Sequence, residues 1–440
     1  MIGPAHPFDH PRRVGLEQEF FLVDEAGVIS HRADELLSLC REDTGGEDLD
    51  PGHFKGECAK NMVEINAGPS PDLASLAAEH LENVRFAIGI GRRLGLRLYP
   101  LGTYPLPITP FIRDYLRYQI KVRTVGYERY LHAGRCAGVH LHLELPAGTI
   151  DPYSGPSDEA LAEAGEELLA LYNLATALDP ALVALGRACP FYEGRAEGLA
   201  TRTIHYRGSE AFGVEGVYTD LPEVGALQPY AASVGELAKQ QNVRCVAWLE
   251  AMDLAGVDRR LFFESGGTPL RASWNPIRIN RYGTVEIRSM DSNYPETFLA
   301  IAALVFAVAD RVRSERLRVR PTVGADAFVV EGDALLVPDF QHLNGHLSYC
   351  ALSEGVEHPD LAHYLDSILD FVKRCGEMWD EHLSRLKLPS GCYKTTEMQI
   401  LQGFSSPPID LPEDAGLNLV REVCGKQEEQ VARLCASYSK

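Results

Sequence analysis

Gly138-Val139-His140-Leu141-His142-Leu143-Glu144-Leu145 is the stretch whose reading decides the fold. Side chains alternate faces along a strand, so Val139, Leu141, Leu143 and Leu145 point into a core. His140, His142 and Glu144 then form a polar row on the other face. Three more segments repeat the design. Gly15-Leu16-Glu17-Gln18-Glu19-Phe20 puts two carboxylates on one face. Met62-Val63-Glu64-Ile65-Asn66 sets an acid between branched apolar residues, and Thr284-Val285-Glu286-Ile287-Arg288 sets an acid beside a base. A lone Glu-x-Glu is usually a solvated strand face, and a lone His-x-His is more often structural than ligating. Four such strands together predict a single sheet lining a charged cavity.

Carboxylates that share a cavity repel one another unless cations compensate. Oxygen ligands with a minority of imidazole suit Mg²⁺ or Mn²⁺ better than a soft-ligand metal. The formal net charge of −20 argues against a nucleic-acid partner. No apolar run approaches the roughly 20 residues that span a bilayer, so no membrane partner is expected. Met1 to Pro7 lacks the basic start and apolar core of a signal peptide. Ten cysteines stand at irregular spacings with no Cys-x-x-Cys pair, which suits reduced thiols and a cytoplasmic location. The oligomeric state is open, a homo-oligomer included.

Residues 13 to 24 read as the first strand. Ser70-Pro71-Asp72 opens a helix that runs to about Gly95, with Ser70 as the cap. A short strand follows from Leu96 to Gly102, then a proline-rich loop from Tyr104 to Pro110. Ser157-Asp158-Glu159 opens a long helix to about Leu185. Residues 192–229, rich in glycine and aromatics without a period, read as a substrate loop. Helices are expected near 233–255, 295–318, 357–386 and 411–437. The last third therefore reads as helical scaffold. This organisation predicts one catalytic domain over residues 1–390 and a helical C-terminal extension over 391–440 packed on it.

The chain resembles the carboxylate-amine ligases related to type 2 glutamate–cysteine ligases, within the glutamine-synthetase superfamily. The matching stretches are Gly15 to Asp24, Val63-Glu64-Ile65-Asn66, Gly138-Val139-His140-Leu141-His142 and Arg281-Tyr282-Gly283-Thr284-Val285-Glu286-Ile287-Arg288. Their order and spacing carry the resemblance, which extends over residues 13–310. It implies an α+β fold: a curved antiparallel sheet packed on helices, with an active-site funnel on the concave face. It implies ATP and two or three Mg²⁺ (or Mn²⁺) ions as cofactors. The implied reaction joins an amino-acid carboxylate, glutamate by default, to an amine through an acyl phosphate. Glu17, His140 and Glu286 resemble the ligands of a nucleotide-side metal. Glu19, Glu64 and Glu57 resemble those of a substrate-side metal. Glu57 falls on the wrong face unless Ala59-Lys60-Asn61 turns or bulges. His142 resembles a γ-phosphate contact, and Arg278, Arg281 and Arg288 resemble anchors for phosphate and carboxylate. Glu144 is a candidate base for the amine but reads better as an ion-pair partner. Arg135 stands within reach of the funnel mouth.

The rival enzyme is a metal-dependent amidohydrolase or deaminase, which also carries His-x-His on a strand. That barrel needs further ligands at later strand ends. The later histidines, such as His205, His342 and His358, do not follow apolar strand runs. A third reading is a non-catalytic ligase homologue kept as a binding subunit.

Overall fold

A computed structural model describes residues 11–44, 52–156, 162–373, 379–404, 406 and 408–438. Alternating apolar and polar residues build the central sheet. Its strands are β1 (Val14–Asp24), β2 (Phe54–Gly56), β3 (Met62–Ser70), β4 (Leu96–Tyr99), β5 (Gly138–Glu144), β6 (Ile277–Asn280) and β7 (Thr284–Asp291). The order is β6-β7-β5-β1-β3-β2, with β4 paired to the far end of β1, and every pairing is antiparallel. This is the α+β architecture that the sequence implied. It leaves no place for the barrel of the amidohydrolase reading.

One face of the sheet is packed on helices. Leu16, Phe20, Leu22, Val139, Leu141, Leu143, Val285 and Ile287 are buried in one apolar core. The helices around the sheet are α1 (Ala33–Thr44), α2 (Leu73–Leu94), α3 (Leu116–Val125), α4 (Ala162–Gly186), α5 (Thr201–Arg207), α6 (Val234–Leu254) and α7 (Pro295–Ser314); α1, α2, α4 and α7 contribute to this core, whereas α3 and α5 border the opposite face. Of these, α2 lies against β3, α4 against β7, and α7 against α4. By length and composition α4 is apolar enough to cross a membrane, contrary to the expectation that no run approaches that length. In the fold, 89% of its apolar window is buried, as the central helix of the core.

Other expectations are corrected in detail. Asp72, not Ser70, caps α2: its carboxylate accepts the Ser75 N–H at 2.7 Å, and Gly95 closes the helix in the left-handed region at φ 67°. The last third is not only helical. It holds a three-stranded sheet of β8 (Arg318–Thr322), β9 (Val329–Glu331) and β10 (Ala334–Pro338), with β8 parallel to β10. The helix expected over 357–386 is α8 (Pro359–Lys373) followed by a short turn of helix from Asp380 to Ser384. The final helix, α9 (Glu413–Tyr438), packs on α2, β4 and α7. The N-terminal Met1 to Pro7, the helix start at Ser157-Asp158-Glu159, and Cys375 lie outside the described residues. None of the nine described cysteines is in a disulfide, and seven of them are buried.

Candidate active site

The opposite face of the sheet carries the polar rows, and strand register brings them together. Glu17 lies opposite His140 on β5 and opposite Asn66 on β3. Glu19 lies opposite Glu64, Glu286 opposite His142, and Arg278 opposite Glu286. The rows line a cavity of about 820 Å³. Among the described residues they form two groups whose ligand atoms lie within 4.8 Å of one another: Glu17, His142 and Glu286, and Glu19, Glu57 and Glu64.

Glu57 reaches its group because the chain turns between β2 and β3, as the sequence required of it. The segment after the proline-rich loop holds that turn. Arg113, 2% exposed, donates through Nε to the Glu57 carbonyl at 2.8 Å and through its backbone N–H to the Cys58 carbonyl. Its guanidinium also pairs with Asp34. The Glu57 carboxylate then faces Glu19 and Glu64.

His140 stands between the two groups. Its Nδ1 is 3.3 Å from Glu17 and 3.9 Å from Glu286, and its Nε2 is 3.8 Å from Glu19. Arg288 donates to Nδ1 at 3.2 Å. Burial and the Arg288 cation push His140 down to about 4. His142 lies 3.5 Å from Glu17, with Nδ1 on Thr284 Oγ1 at 3.0 Å. Burial opposes its charge, but Glu17 and Glu286 outweigh it and raise His142. The geometry thus puts His142 in the Glu17–Glu286 group, where the resemblance puts His140, and leaves His140 bridging both groups.

Glu286 is fully buried and held by cations. It accepts from Arg278 at 2.7 Å, Arg288 at 2.6 Å and Asn280 at 2.5 Å. Burial would raise its carboxyl, but Arg278, Arg288 and His142 hold it well below the usual range. Glu17 behaves alike: burial is overcome by His142 and His140. The second group behaves in the opposite way. Burial, then Glu19 and Glu64, hold Glu57 well above the usual carboxyl value. Burial also raises Glu64 and Glu19. Lys55, 3.7 Å from Glu64, and Arg202 and Arg288, which lower Glu19, do not offset the cost of burial in this group.

The donor set fits divalent metal. Both groups are rich in carboxylate oxygen, and Nε2 of His140 and of His142 are buried without a hydrogen-bond partner. Of the remaining candidates, Arg281 is exposed at the cavity mouth, donating to the Tyr282 hydroxyl at 2.8 Å. Glu144 pairs with Arg13 at 2.6 Å, away from the acid groups, as the ion-pair reading expected. Arg135 does not reach the cavity; it donates to the Ile108 carbonyl and pairs with Glu193 at 3.1 Å.

Arg202, Lys121, Arg117 and Arg271 also line the cavity and were not singled out in the sequence. Arg202 comes from α5, inside the glycine-rich segment read as a substrate loop, so the segment carried a signal and the residue did not. It is 5% exposed, donates weakly to the Arg288 carbonyl at 3.4 and 3.5 Å, and leaves Nε unpartnered. A Cβ at Gly138 would collide with this guanidinium. The glycine that opens the histidine strand therefore makes room for a cation, while its N–H donates to Glu19 at 2.6 Å.

Residues 13–346 match the profile of Glutamate-cysteine ligase family 2 (GCS2). The chain is 26% identical over 295 residues to a Streptomyces avermitilis protein provisionally named glutamate–cysteine ligase 2-1, covering 67% of each. It is 25% identical over 304 residues to the glutamate–cysteine ligase of Halobacterium salinarum, covering 66% of this chain and 67% of that one. The Francisella tularensis glutamate–cysteine ligase, solved in complex with AMP, shares the fold with a TM-score of 0.53 at 13% identity, over 98% of this chain and 93% of that one. A bifunctional glutathione synthetase from Pasteurella multocida matches with a TM-score of 0.56 at 14% identity, over 97% of this chain but only 53% of that longer one. The profile spans most of the sequence and every strand of the central sheet, and the chain belongs to glutamate–cysteine ligase family 2.

Proposed function

We propose that this protein is an ATP-dependent ligase that joins an amino-acid carboxylate to an amine, with glutamate the first donor to test. The observation that carries the reading is the pair of adjoining acid groups on one sheet face, with Arg278 and Arg288 fastened to Glu286. A carboxylate is a poor electrophile at neutral pH, so an amine cannot displace its oxygen without prior activation. Transfer of the γ-phosphoryl group supplies that activation, and an adenine nucleotide agrees with the AMP-bound relative of the same fold.

Divalent ions bound to the two acid groups would neutralise phosphoryl oxygens as charge spreads over them. Glu17, His142 and Glu286 would hold the ion on the nucleotide side, and Glu19, Glu57 and Glu64 that on the substrate side, with His140 between. Arg278 and Arg281 would grip the phosphates. Arg288, fixed by Glu286 and His140, presents a planar fork to the phosphoryl group in flight. The donor carboxylate oxygen forms the new bond to phosphorus as the bond to the β-phosphate oxygen breaks, which releases ADP. The amine nitrogen then forms the C–N bond. The C–O bond to phosphate breaks with its electron pair, and the amine gives up a proton.

Hydroxylamine should intercept the activated donor as a hydroxamate, with release of ADP and phosphate. Oxygen-18 in the donor carboxylate should appear in that phosphate. AMP and pyrophosphate as products would replace this mechanism with adenylation. Failure to bind Mg²⁺-ATP at all would favour a non-catalytic binding subunit.

A further inference from the structure

Three of the later histidines, which no strand explains, meet an aspartate outside the cavity. None of the four lines it. His342 and His346 lie on a π-helical turn, His342–Leu347, that runs into a short helix, Ser348–Leu352. A spacing of four puts both imidazoles on one face, with ring centroids 5.2 Å apart. Turns of this kind are rare and concentrate at functional sites. The start of α8 brings Asp360 to the same face, where its carboxylate accepts from Nε2 of His346 at 2.7 Å. The buried thiol of Cys350 lies 3.8 Å from the same nitrogen. His358 stands edge-on to His346 at 5.9 Å. Its Nδ1 accepts the Asp360 N–H at 3.2 Å, so its proton is on Nε2 and the ring borders the cluster rather than completing it. The hydrogen bond from His346, with His358 and His342 nearby, holds the Asp360 carboxyl below its usual value.

Two imidazoles and one carboxylate are a donor set for a borderline transition ion such as Zn²⁺ and a poor one for Mg²⁺. The acid groups of the cavity, rich in carboxylate oxygen, have the opposite preference. Imidazoles bound at about 2.0 Å to one tetrahedral ion have centroids about 5 Å apart, as His342 and His346 do. The side chains meet pairwise around His346, not about one point. His342 is half-buried, and the His346 and Asp360 side chains are 43% and 60% exposed. Turns about their side-chain torsions therefore gather the three ligand atoms with the backbone in place. An ion on His346 Nε2 replaces the proton now shared with Asp360, and that proton leaves to solvent.

We propose that His342, His346 and Asp360 form a transition-metal site of the Zn²⁺ class, separate from the two acid groups, with water in the open position. The bound ion ties the π-helical turn to α8. The helix that follows the turn accepts the Ala200 N–H on the Leu352 carbonyl at 2.8 Å, just before α5, which carries Arg202. The site stands whether or not the chain is a ligase.

The test is titration of the chelator-treated full chain with Zn²⁺ against a competing chelating dye, in excess Mg²⁺ to occupy the acid groups. The parent should bind one Zn²⁺ that His342→Gln, His346→Gln and Asp360→Asn each weaken about a hundredfold or more, since loss of a group that only supports a ligand already costs 10–100-fold. His363→Gln, at an exposed histidine one turn further along α8, should bind as the parent does. Zn²⁺ should raise the Tm of the parent and not that of His346→Gln, while the metal-free proteins melt together. Absence of Zn²⁺ binding by the parent overturns the site. Equal binding by the parent and the three ligand variants places the ion elsewhere and overturns it too. A loss in His363→Gln as large as in His346→Gln overturns the ligand set.

Discussion

His80→Gln should make this protein more resistant to acid. His80 is on α2, 1% exposed, and its ring meets Phe298 edge-on at 5.4 Å. Its Nε2 is 2.9 Å from Gln18 Oε1. The Gln18 amide nitrogen is already used, donating to the Asn293 carbonyl at 2.9 Å and to Ser292 Oγ at 3.2 Å. Gln18 can therefore only accept from the histidine, which fixes the Nε2–H tautomer and leaves Nδ1 bare. Nδ1 is buried with no partner. A second proton would put an unpaired charge in the core, so burial pushes His80 from 6.5 down to about 3. The folded state is thus unprotonated where the unfolded state is charged. Stability from this residue is intact above pH 6.5 and is lost progressively as pH falls toward 3. At pH 5 the unfolded histidine lies about 1.5 pH units into its titration, a loss of about 2 kcal/mol relative to neutral pH. That is a sizeable share of a typical 5–15 kcal/mol. Glutamine can place an N–H where Nε2 stands and does not titrate. Urea unfolding at pH 7 and pH 5 gives the comparison: the parent should lose about 2 kcal/mol more than the variant. Parallel losses in the two proteins would refute the buried neutral histidine.

Three further outcomes follow from the site. Glu57→Gln should stabilise the chelator-treated protein above pH 5, because its raised carboxyl opposes folding wherever it must ionise; the gap should close as pH falls toward 4.5, and the gain in Tm on adding Mg²⁺ should shrink. Arg288→Lys keeps the charge but loses the planar guanidinium whose Nη1 is tied to Glu286 and His140 and whose remaining nitrogens are left for the phosphoryl group, so kcat should fall on the order of a hundredfold, while Arg260→Lys, at an 82% exposed side chain, should leave steady-state kinetics unchanged. Gly138→Ala should displace the Arg202 guanidinium, a flexible end that can move, and so lower kcat about tenfold or more with Tm close to the parent's in a thermal melt.

Much of the fold and most of the candidate site were legible because a strand has a period of two. Alternation alone put Glu17, Glu19, Glu64, His140, His142 and Glu286 on one face and their apolar neighbours on the other, and antiparallel register did the rest. Alternation also misled: Gln18 sits on the core face as a polar residue, and only the buried partners His80, Ser292 and Asn293 explain it. Period cannot report what arrives from elsewhere in the chain. Glu57 needed the turn held by Arg113, and Arg202 and Lys121 come from helices with no strand motif. The apolar length of α4 reads equally as a core helix or a bilayer span, and only its burial by other elements separates the two. What the sequence by itself determined was the chemistry of each face, a local property of alternating residues. Which cations complete that chemistry, and which imidazole stands nearest each acid group, were decided by tertiary packing, because those contacts join residues far apart in the chain.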